Sequence, residues 1–171
     1  MKALSLLVLM VFAFLPKVNF GQLGQCPDLP KTYHWQVAED YAKDRELVKK
    51  ALRWLCVTPI SEDLRDRALA NAFVLEWLAG TPEITLDVRT KVLDLPSEHP
   101  ELLLTFMHGM AYYTILHPKE NSEIKKYEAG IKTIVDLANQ SKELSKLARI
   151  RDLERMMNRG KLNSYLKSEL K

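Results

Sequence analysis

From residue 44 onward, hydrophobic positions recur at three- and four-residue steps, which is the spacing of one buried face of an α-helix. In the first such segment, Lys49, Lys50 and Arg53 lie on the opposite, polar face, and Thr58-Pro59 ends the pattern. The segment therefore predicts an amphipathic helix with one side in the core. Its apolar positions are Leu47, Val48, Ala51, Leu52, Trp54 and Leu55.

A second predicted helix has the clearest start and stop signals in the chain. Ser61 can cap its beginning by accepting a bond from a backbone N–H group. Gly80 and Pro82 end it in the order typical of a helix C-terminus. A stripe of small and apolar residues is predicted to be its buried face, with Phe73 and Trp77 beside it. The stripe consists of Leu64, Ala68, Ala72, Leu75 and Ala79.

The middle of the chain contains a connector and then its most apolar helix. Residues 84–89 alternate apolar and polar side chains, but a lone strand has no partner, so we expect residues 83–96 to form an extended connector with a turn of helix near Val92. Pro100 begins a nearly all-apolar segment that runs to Leu116 and predicts the central helix. Gly109 costs this helix about 1 kcal/mol relative to Ala, which indicates close approach by a neighbouring helix.

Three more helical segments complete the pattern. Asn121 is the predicted cap of the fourth helix, Ser141 that of the fifth, and Gly160 precedes a short last helix. Together the segments predict a compact all-α bundle of five or six helices, forming a single domain over residues 44–171. Residues 22–43 show no clear period and are predicted to be an irregular N-terminal arm.

The beginning of the chain has the pattern of a secretory signal. A positive start precedes the apolar run Ala3–Leu15, and Pro16 ends that run. The run is too short for a bilayer core of ~30 Å, which needs about 20 apolar residues. Cleavage after Gly21 or Gln22 is predicted, so residues 1–21 are the signal peptide and the protein is expected to be periplasmic or secreted. The alternative is an uncleaved membrane anchor; after cleavage, no stable membrane insertion is expected.

The charge of the mature chain is nearly balanced. The full sequence has 25 basic and 22 acidic residues, and Lys2 and Lys17 belong to the predicted signal, so 23 basic residues face 22 acidic ones. A nucleic-acid-binding domain normally carries a strong basic excess. We therefore expect no nucleic-acid partner.

Two cysteines, Cys26 and Cys56, remain after signal cleavage. In an oxidising compartment two cysteines are usually joined by a disulfide. A disulfide is therefore predicted that links the arm to the end of the first helix. Closing this loop would contribute roughly 3–4 kcal/mol in the chain-entropy model. The alternative is two separate thiols, with Cys56 buried as a small apolar residue.

Candidate chemistry is sparse. No two histidines stand three or four residues apart, and no Cys-x-x-Cys, Gly-x-Ser-x-Gly or glycine-rich phosphate motif occurs in the sequence. No metal, cofactor or catalytic residue is therefore predicted. His108 lies inside the apolar helix with Tyr112 one turn later, and this pair could exchange a proton or orient a small polar ligand. The alternative is a structural histidine, bonded to a neighbouring carbonyl or lying at the surface.

Four segments of packing and turn residues are spread over most of residues 45–170. They are Leu52-Arg53-Trp54-Leu55, Asn71–Pro82, Pro100–Met107 and Gly160-Lys161-Leu162. In these segments the chain resembles a family of small exported bacterial all-helical proteins of unassigned function. The resemblance implies a shared fold, and it brings no activity and no site residue with it.

Export, the helical pattern and the lack of a catalytic motif favour a non-catalytic protein-interaction module. Its expected partner is another envelope or secreted protein. Two alternatives stay open. One is a small-ligand carrier with a pocket near the central helix, at His108 and Tyr112; the other is an enzyme of unrecognised type, with His108 as its candidate residue.

Overall fold

The computed structural model describes residues 24–171, so the predicted signal peptide at residues 1–21 lies outside the described part. Within residues 24–171 the chain is helical and has no strand, which confirms the all-α class. The described residues form seven α-helices, more than the five or six predicted; six match predicted segments, and the additional helix, α3, is a single turn at the place where one was expected near Val92. The elements are α1 (Ala38–Val57), α2 (Leu64–Gly80), α3 (Thr90–Leu93), α4 (Pro100–Leu116), α5 (Glu123–Ala138), a 3₁₀ turn (Leu144–Lys146), α6 (Ala148–Asn158) and α7 (Leu162–Glu169).

The first helix begins six residues before the predicted position. The Asp40 carboxylate accepts the backbone N–H groups of Gln36 and Val37, at 3.1 and 3.3 Å, just ahead of the first turn. A carboxylate at this end also interacts favourably with the positive end of the helix dipole. The irregular arm is therefore residues 24–37 of the described chain.

The predicted buried face of α2 is wrong. Leu64 is 67% exposed, and Ala68, Ala72 and Ala79 are exposed as well. The helix has apolar side chains on nearly every side, so periodicity alone does not select a face, and the large aromatic rings gain most from burial. Asp63, in a left-handed conformation, precedes the helix where Ser61 was expected to cap it. The side chains buried instead are Arg67, Ala70, Phe73, Val74 and Trp77.

The extended connector after α2 is confirmed. Its backbone bonds to a side chain of α5 in place of a partner strand: the N–H of Arg89 donates to the Tyr127 hydroxyl at 2.6 Å, and that hydroxyl donates to the carbonyl of Asp87 at 3.1 Å. The buried tyrosine thus satisfies polar groups of a segment that has no neighbouring strand.

The central position of α4 is confirmed by its membership of both hydrophobic clusters. Leu102, Phe106 and Met110 belong to the cluster that joins α3 to the C-terminal helices. Ala111 and Ile115 belong to a second cluster, formed with α1, α2 and the N-terminal arm. Helix α4 therefore connects two halves of one core.

The glycine in α4 marks a close helix contact, as predicted. A Cβ atom at Gly109 would lie 2.5 Å from the Thr133 hydroxyl oxygen and 2.9 Å from the Cα of Gly130 in α5. A Cβ atom at Gly130 would lie 2.5 Å from the ring of Phe106. The two glycines therefore allow α4 and α5 to touch along their backbones.

Two helix starts in the second half differ from prediction: that of α5 by one residue, and that of α6, which was expected directly after Ser141 and begins only at Ala148. Ser122, next to the expected Asn121, caps α5 by accepting the N–H of Lys125 at 3.4 Å. Ser141 accepts the N–H of Leu144 at 3.3 Å and so begins the 3₁₀ turn ahead of α6. None of the helices in residues 24–171 is long and apolar enough to cross a membrane.

Candidate functional site

His108 is buried in the middle of α4, with 1% of its surface exposed. Neither of its ring nitrogens has a hydrogen-bond partner among residues 24–171. Burial lowers the pKa of His108 from 6.5 to about 3, and the nearby Arg67 guanidinium acts in the same direction. The imidazole is therefore neutral at physiological pH.

Tyr112 lies one turn after His108, as the spacing requires, but no hydrogen bond joins the two side chains in the described structure. The Tyr112 ring is partly buried and packs against the cluster formed by α1, α2 and the arm. The structure thus places His108 and Tyr112 on one helix without linking them chemically.

The polar neighbour of His108 is Arg67, which the sequence reasoning missed. Its side chain is 7% exposed, and its Nη2 donates to the carbonyls of Leu55 at 3.4 Å, of Pro59 at 3.3 Å and of Thr58. These carbonyls end α1, where the negative end of the helix dipole favours a cation. Arg67, on the buried face of α2, therefore caps the C-terminal end of α1.

Two more polar side chains stand near Arg67, and Arg67 itself has a second polar atom without a partner. The hydroxyl of Thr58, the side-chain oxygen of Asn71 and the Nε of Arg67 itself are buried, and none has a hydrogen-bond partner within residues 24–171. An unsatisfied buried polar group costs about 1–3 kcal/mol. Thr58, Arg67, Asn71 and His108 together are named the polar cluster below.

The sequence indicates this cluster once the buried face of α2 is known. Arg67 is in helical phase with Val74 and Trp77, which are buried on α2. A charged residue in phase with a buried aromatic stripe is unusual. It was missed because the wrong stripe was assigned to the core.

The polar cluster borders a cleft of about 440 Å³. The cleft lies between the start of α2, the start of α4 and the 3₁₀ turn. Its apolar wall is formed by Ile60, Leu64, Ala68 and Leu144. Its polar lining consists of Ser61, Arg67, Asn71, His99, Glu101, Ser141 and Glu143.

Two of the polar residues in the cleft, His99 and Glu101, are joined by a hydrogen bond. The Nδ1 of His99 lies 3.0 Å from a carboxylate oxygen of Glu101, and because a carboxylate only accepts, the imidazole is the donor. Glu143, across from the helix starts, is exposed and makes no salt bridge within the described chain. The cleft therefore contains both carboxylate acceptors and the Arg67 donor.

The predicted Cys26–Cys56 disulfide is not formed, and both cysteines are free thiols. Cys26, in the N-terminal arm, packs against the start of α2, with its sulfur 4.0 Å from the carbonyl of Asp66. Cys56 lies near the end of α1, and burial raises the pKa of its thiol to about 12. The prediction fails because the folded chain does not bring the two cysteines close together, and their separation in sequence does not reveal this.

The outward side of α2 is a second notable surface. The stripe that was predicted to be buried instead faces outward, and its first two members, Leu64 and Ala68, also line the cleft. Helix α2 packs mainly against α1, so the stripe is left uncovered by the described helices. Leu64 and Ala68 thus belong to both the stripe and the cleft.

Residues 24–171 bring together no group of three His, Cys, Asp or Glu side chains that could bind a metal ion. The chain matches no family model, no curated protein and no solved structure.

Proposed function

We propose that the protein is a non-catalytic binding protein that holds a small amphipathic ligand in the cleft beside α2. The observation that carries this proposal is the cleft of about 440 Å³, which has an apolar wall and meets the polar cluster at Arg67 and Asn71. Small-ligand sites are typically concave, largely apolar and supplied with a few polar groups that orient the ligand.

The ionisable groups of the buried interior support binding over catalysis. A nucleophilic cysteine must be a thiolate, but the pKa of Cys56 is about 12. A general base must exchange protons near neutral pH, but the pKa of His108 is about 3. Neither group is tuned to react under physiological conditions.

The test is to fill the cleft and leave the rest of the surface unchanged. Ala68 lines the cleft, whereas Ala72 is exposed one turn later on the same helix and lies outside it. In NMR screening with a library of small fragments, we expect shifts at the backbone amides of cleft residues in the wild type and in Ala72→Trp. The Ala68→Trp variant should lose them. A library that shifts no cleft residue in the wild type would refute the proposal.

A second candidate function is protein interaction through the outward face of α2. It is favoured by the uncovered stripe, because contiguous exposed apolar patches often mark interaction sites. The proposed partner is another exported protein that presents an apolar helix to the stripe. This proposal uses Ala72 and Ala79, which do not line the cleft.

Photo-crosslinking in living cells tests the second candidate. A benzoylphenylalanine at Ala72 should form a discrete adduct with a partner protein. The same residue at Lys132, which is exposed on α5, serves as the control and should form none. Equal crosslinking from both positions, or from neither, would eliminate the stripe as an interaction site.

We also propose that the protein is exported and that residues 1–21 are removed. The support is the apolar run followed by Pro16 in the sequence. Intact mass spectrometry of protein recovered from a bacterial periplasm should give a chain that starts at Gln22 or Leu23. A recovered chain that still begins at Met1 would contradict signal cleavage.

A further inference from the structure

We propose that the protein binds the surface of an anionic phospholipid membrane through a row of exposed cations along α6 and the turn that follows it. The cations are Arg151, Arg155, Arg159 and Lys161, and they are named the basic row below. None of them lines the cleft beside α2, so the proposal does not depend on the ligand-binding function.

Positive charge is concentrated at the end of the chain. Residues 141–171 contain nine Lys and Arg and four Asp and Glu, which gives a local charge of +5. Residues 24–140 contain 14 basic and 18 acidic residues, so this larger part of the described chain has a charge of −4. The basic excess therefore belongs to the segment that forms the 3₁₀ turn, α6 and α7.

The basic row follows one side of α6. Arg151, Arg155 and Arg159 stand four residues apart, so they share one helical face over a length of about 12 Å. All three are exposed. Arg155 and Arg159 line one shallow hollow of about 160 Å³ together with Lys161, which continues the row beyond the helix.

Little of this charge is neutralised within the protein. Arg155 forms an ion pair with Asp152. Arg151, Arg159 and Lys161 make no salt bridge within residues 24–171. Because like charges four residues apart on a helix repel one another, the row lowers the stability of α6. An external anion would relieve that repulsion.

The side chains of the basic row are suited to phosphate groups. A planar guanidinium can donate two parallel hydrogen bonds to a phosphate, and a lysine adds a point charge. The hollow shared by Arg155, Arg159 and Lys161 is smaller than the ~300 Å³ at which small-molecule pockets typically begin. It therefore matches a headgroup phosphate better than a large organic ligand.

The surface around the basic row lacks the apolar anchors of a protein interface. The large hydrophobic side chains that are exposed in the described chain all lie before residue 141. The core of a protein interface is depleted in charge and contains buried aromatic or aliphatic side chains. An anionic leaflet requires only opposite charge, since each Lys or Arg near its surface adds attraction. A membrane surface therefore fits the row better than a folded protein, and we expect adsorption without insertion.

The experiment is co-sedimentation with lipid vesicles, made either of phosphatidylcholine alone or of equal parts of phosphatidylcholine and phosphatidylglycerol. The protein is purified from a bacterial periplasm. We expect it to bind the mixed vesicles and not those of phosphatidylcholine. Raising the salt concentration from about 0.05 M to about 0.5 M should release it, because exposed charges are then screened.

Two double variants test the position of the charge. Arg151→Gln/Arg159→Gln removes two unpaired cations of the basic row and should lower the partition coefficient about 30-fold, from the attraction typical of one Lys or Arg at an anionic surface. The matched control Arg53→Gln/Arg65→Gln removes the same charge from exposed positions on α1 and α2. Because screening limits the reach of these distant charges, the control should stay within about twofold of the wild type.

Urea unfolding verifies that each double variant is folded. Every protein compared has the same N-terminus, so residues 1–21, whether removed or retained, cannot account for a difference between variants.

The remaining outcomes would overturn the proposal. An equal loss of binding in the two double variants would show that net charge, and not the basic row, governs adsorption. Equal binding to vesicles of phosphatidylcholine alone would exclude an electrostatic contact. Binding to polyglutamate or to a DNA duplex, without binding to the mixed vesicles, would assign the row to a protein or a nucleic acid instead. None of these results bears on the cleft, which the fragment screen tests separately.

Discussion

The imidazole of His108 is kept neutral by its surroundings. Burial disfavours the imidazolium form most, and the charge of Arg67 adds to the effect, so the pKa falls from 6.5 to about 3. At pH values between these two figures the unfolded chain binds a proton at this residue, and the folded protein does not. Folding is therefore linked to pH at a single buried side chain.

We predict that the stability contributed by this linkage is lost as the pH falls from about 6.5 towards 3. The free energy of unfolding should decrease by about 1.4 kcal/mol for each pH unit in this window, because the unfolded state gains the proton. Above the unfolded pKa of about 6.5, His108 should have no effect on the pH dependence. Urea unfolding at pH 7.5, 6 and 5 measures these values.

The variant His108→Leu isolates this contribution. Leu cannot titrate, so its unfolding free energy should fall less steeply than that of the wild type between pH 6.5 and 5. Because the two ring nitrogens have no partner within residues 24–171, their removal should cost little stability at pH 7.5. Parallel pH profiles for the two proteins would contradict the buried, neutral histidine.

The free cysteines make a second prediction at the residue scale. At pH 8 only about one Cys56 in 10⁴ is a thiolate if its pKa is about 12, so its alkylation should be very slow. Cys26 is partly exposed on the arm and should be modified first by iodoacetamide, as peptide mass spectrometry would show. Addition of urea should make both cysteines react, and a purified protein in which neither reacts even in urea would indicate a disulfide.

At the scale of elements, the contact between α4 and α5 depends on small residues. A Cβ atom at Gly130 would meet the Phe106 ring at 2.5 Å and the Phe106 carbonyl oxygen at 2.8 Å. The ring can turn, but the carbonyl belongs to the backbone of α4. The two helices would have to separate to admit a methyl group.

We therefore predict that Gly130→Ala destabilises the protein despite the higher helix propensity of Ala. The propensity gain is about 1 kcal/mol, whereas overpacking costs roughly 1–3 kcal/mol, so a net loss of up to about 2 kcal/mol is expected. Equilibrium urea unfolding measures it. The control is Gly24→Ala, where a Cβ atom meets nothing within 4 Å, and its midpoint should not move. An unchanged or raised midpoint in Gly130→Ala would show that the helices are free to separate.

Helix α2 shows how far one element can be predicted by itself. Its C-terminal end follows from local backbone chemistry, because Gly80 and Pro82 stop a helix. The structure confirms that the helix ends at Gly80. Its buried face does not follow from local chemistry, because apolar side chains occur on most sides. Contact with α1 and with the arm selects the aromatic side and leaves Leu64 outside.

At the scale of the whole molecule, the N-terminal arm completes the second hydrophobic cluster. The Trp35 ring stacks on Tyr33 with centroids 4.5 Å apart and lies 5.3 Å from the ring of Phe73 in α2. Its indole N–H donates to Asp44 in α1 at 2.8 Å. The arm, which shows no periodicity, is therefore ordered by long-range contacts with two helices.

We predict that Trp35→Ala detaches the arm and destabilises the fold by about 2 kcal/mol, less than the 3–5 kcal/mol typical of a fully buried Trp. Hydrogen exchange at the backbone amides of residues 31–37 should accelerate, and the urea midpoint should fall. The neighbouring residue His34 is exposed, so His34→Ala should leave both measurements unchanged. An equal loss of stability in Trp35→Ala and His34→Ala would contradict the prediction, because it would show that the indole contacts do not hold the arm in place.

The sequence by itself determined the all-α class, the extended connector, the central helix and the close approach at Gly109. Each of these depends on residues near one another in the chain: the period of apolar positions, a proline or glycine at a helix end, a missing side chain. Only the tertiary structure decided which face of α2 is buried, that Arg67 closes α1, that Cys26 and Cys56 stay apart, and that a cleft forms beside Asn71. These features depend on which segments, distant in sequence, pack against each other. The free energy of that packing cannot be read from the order of residues within one segment.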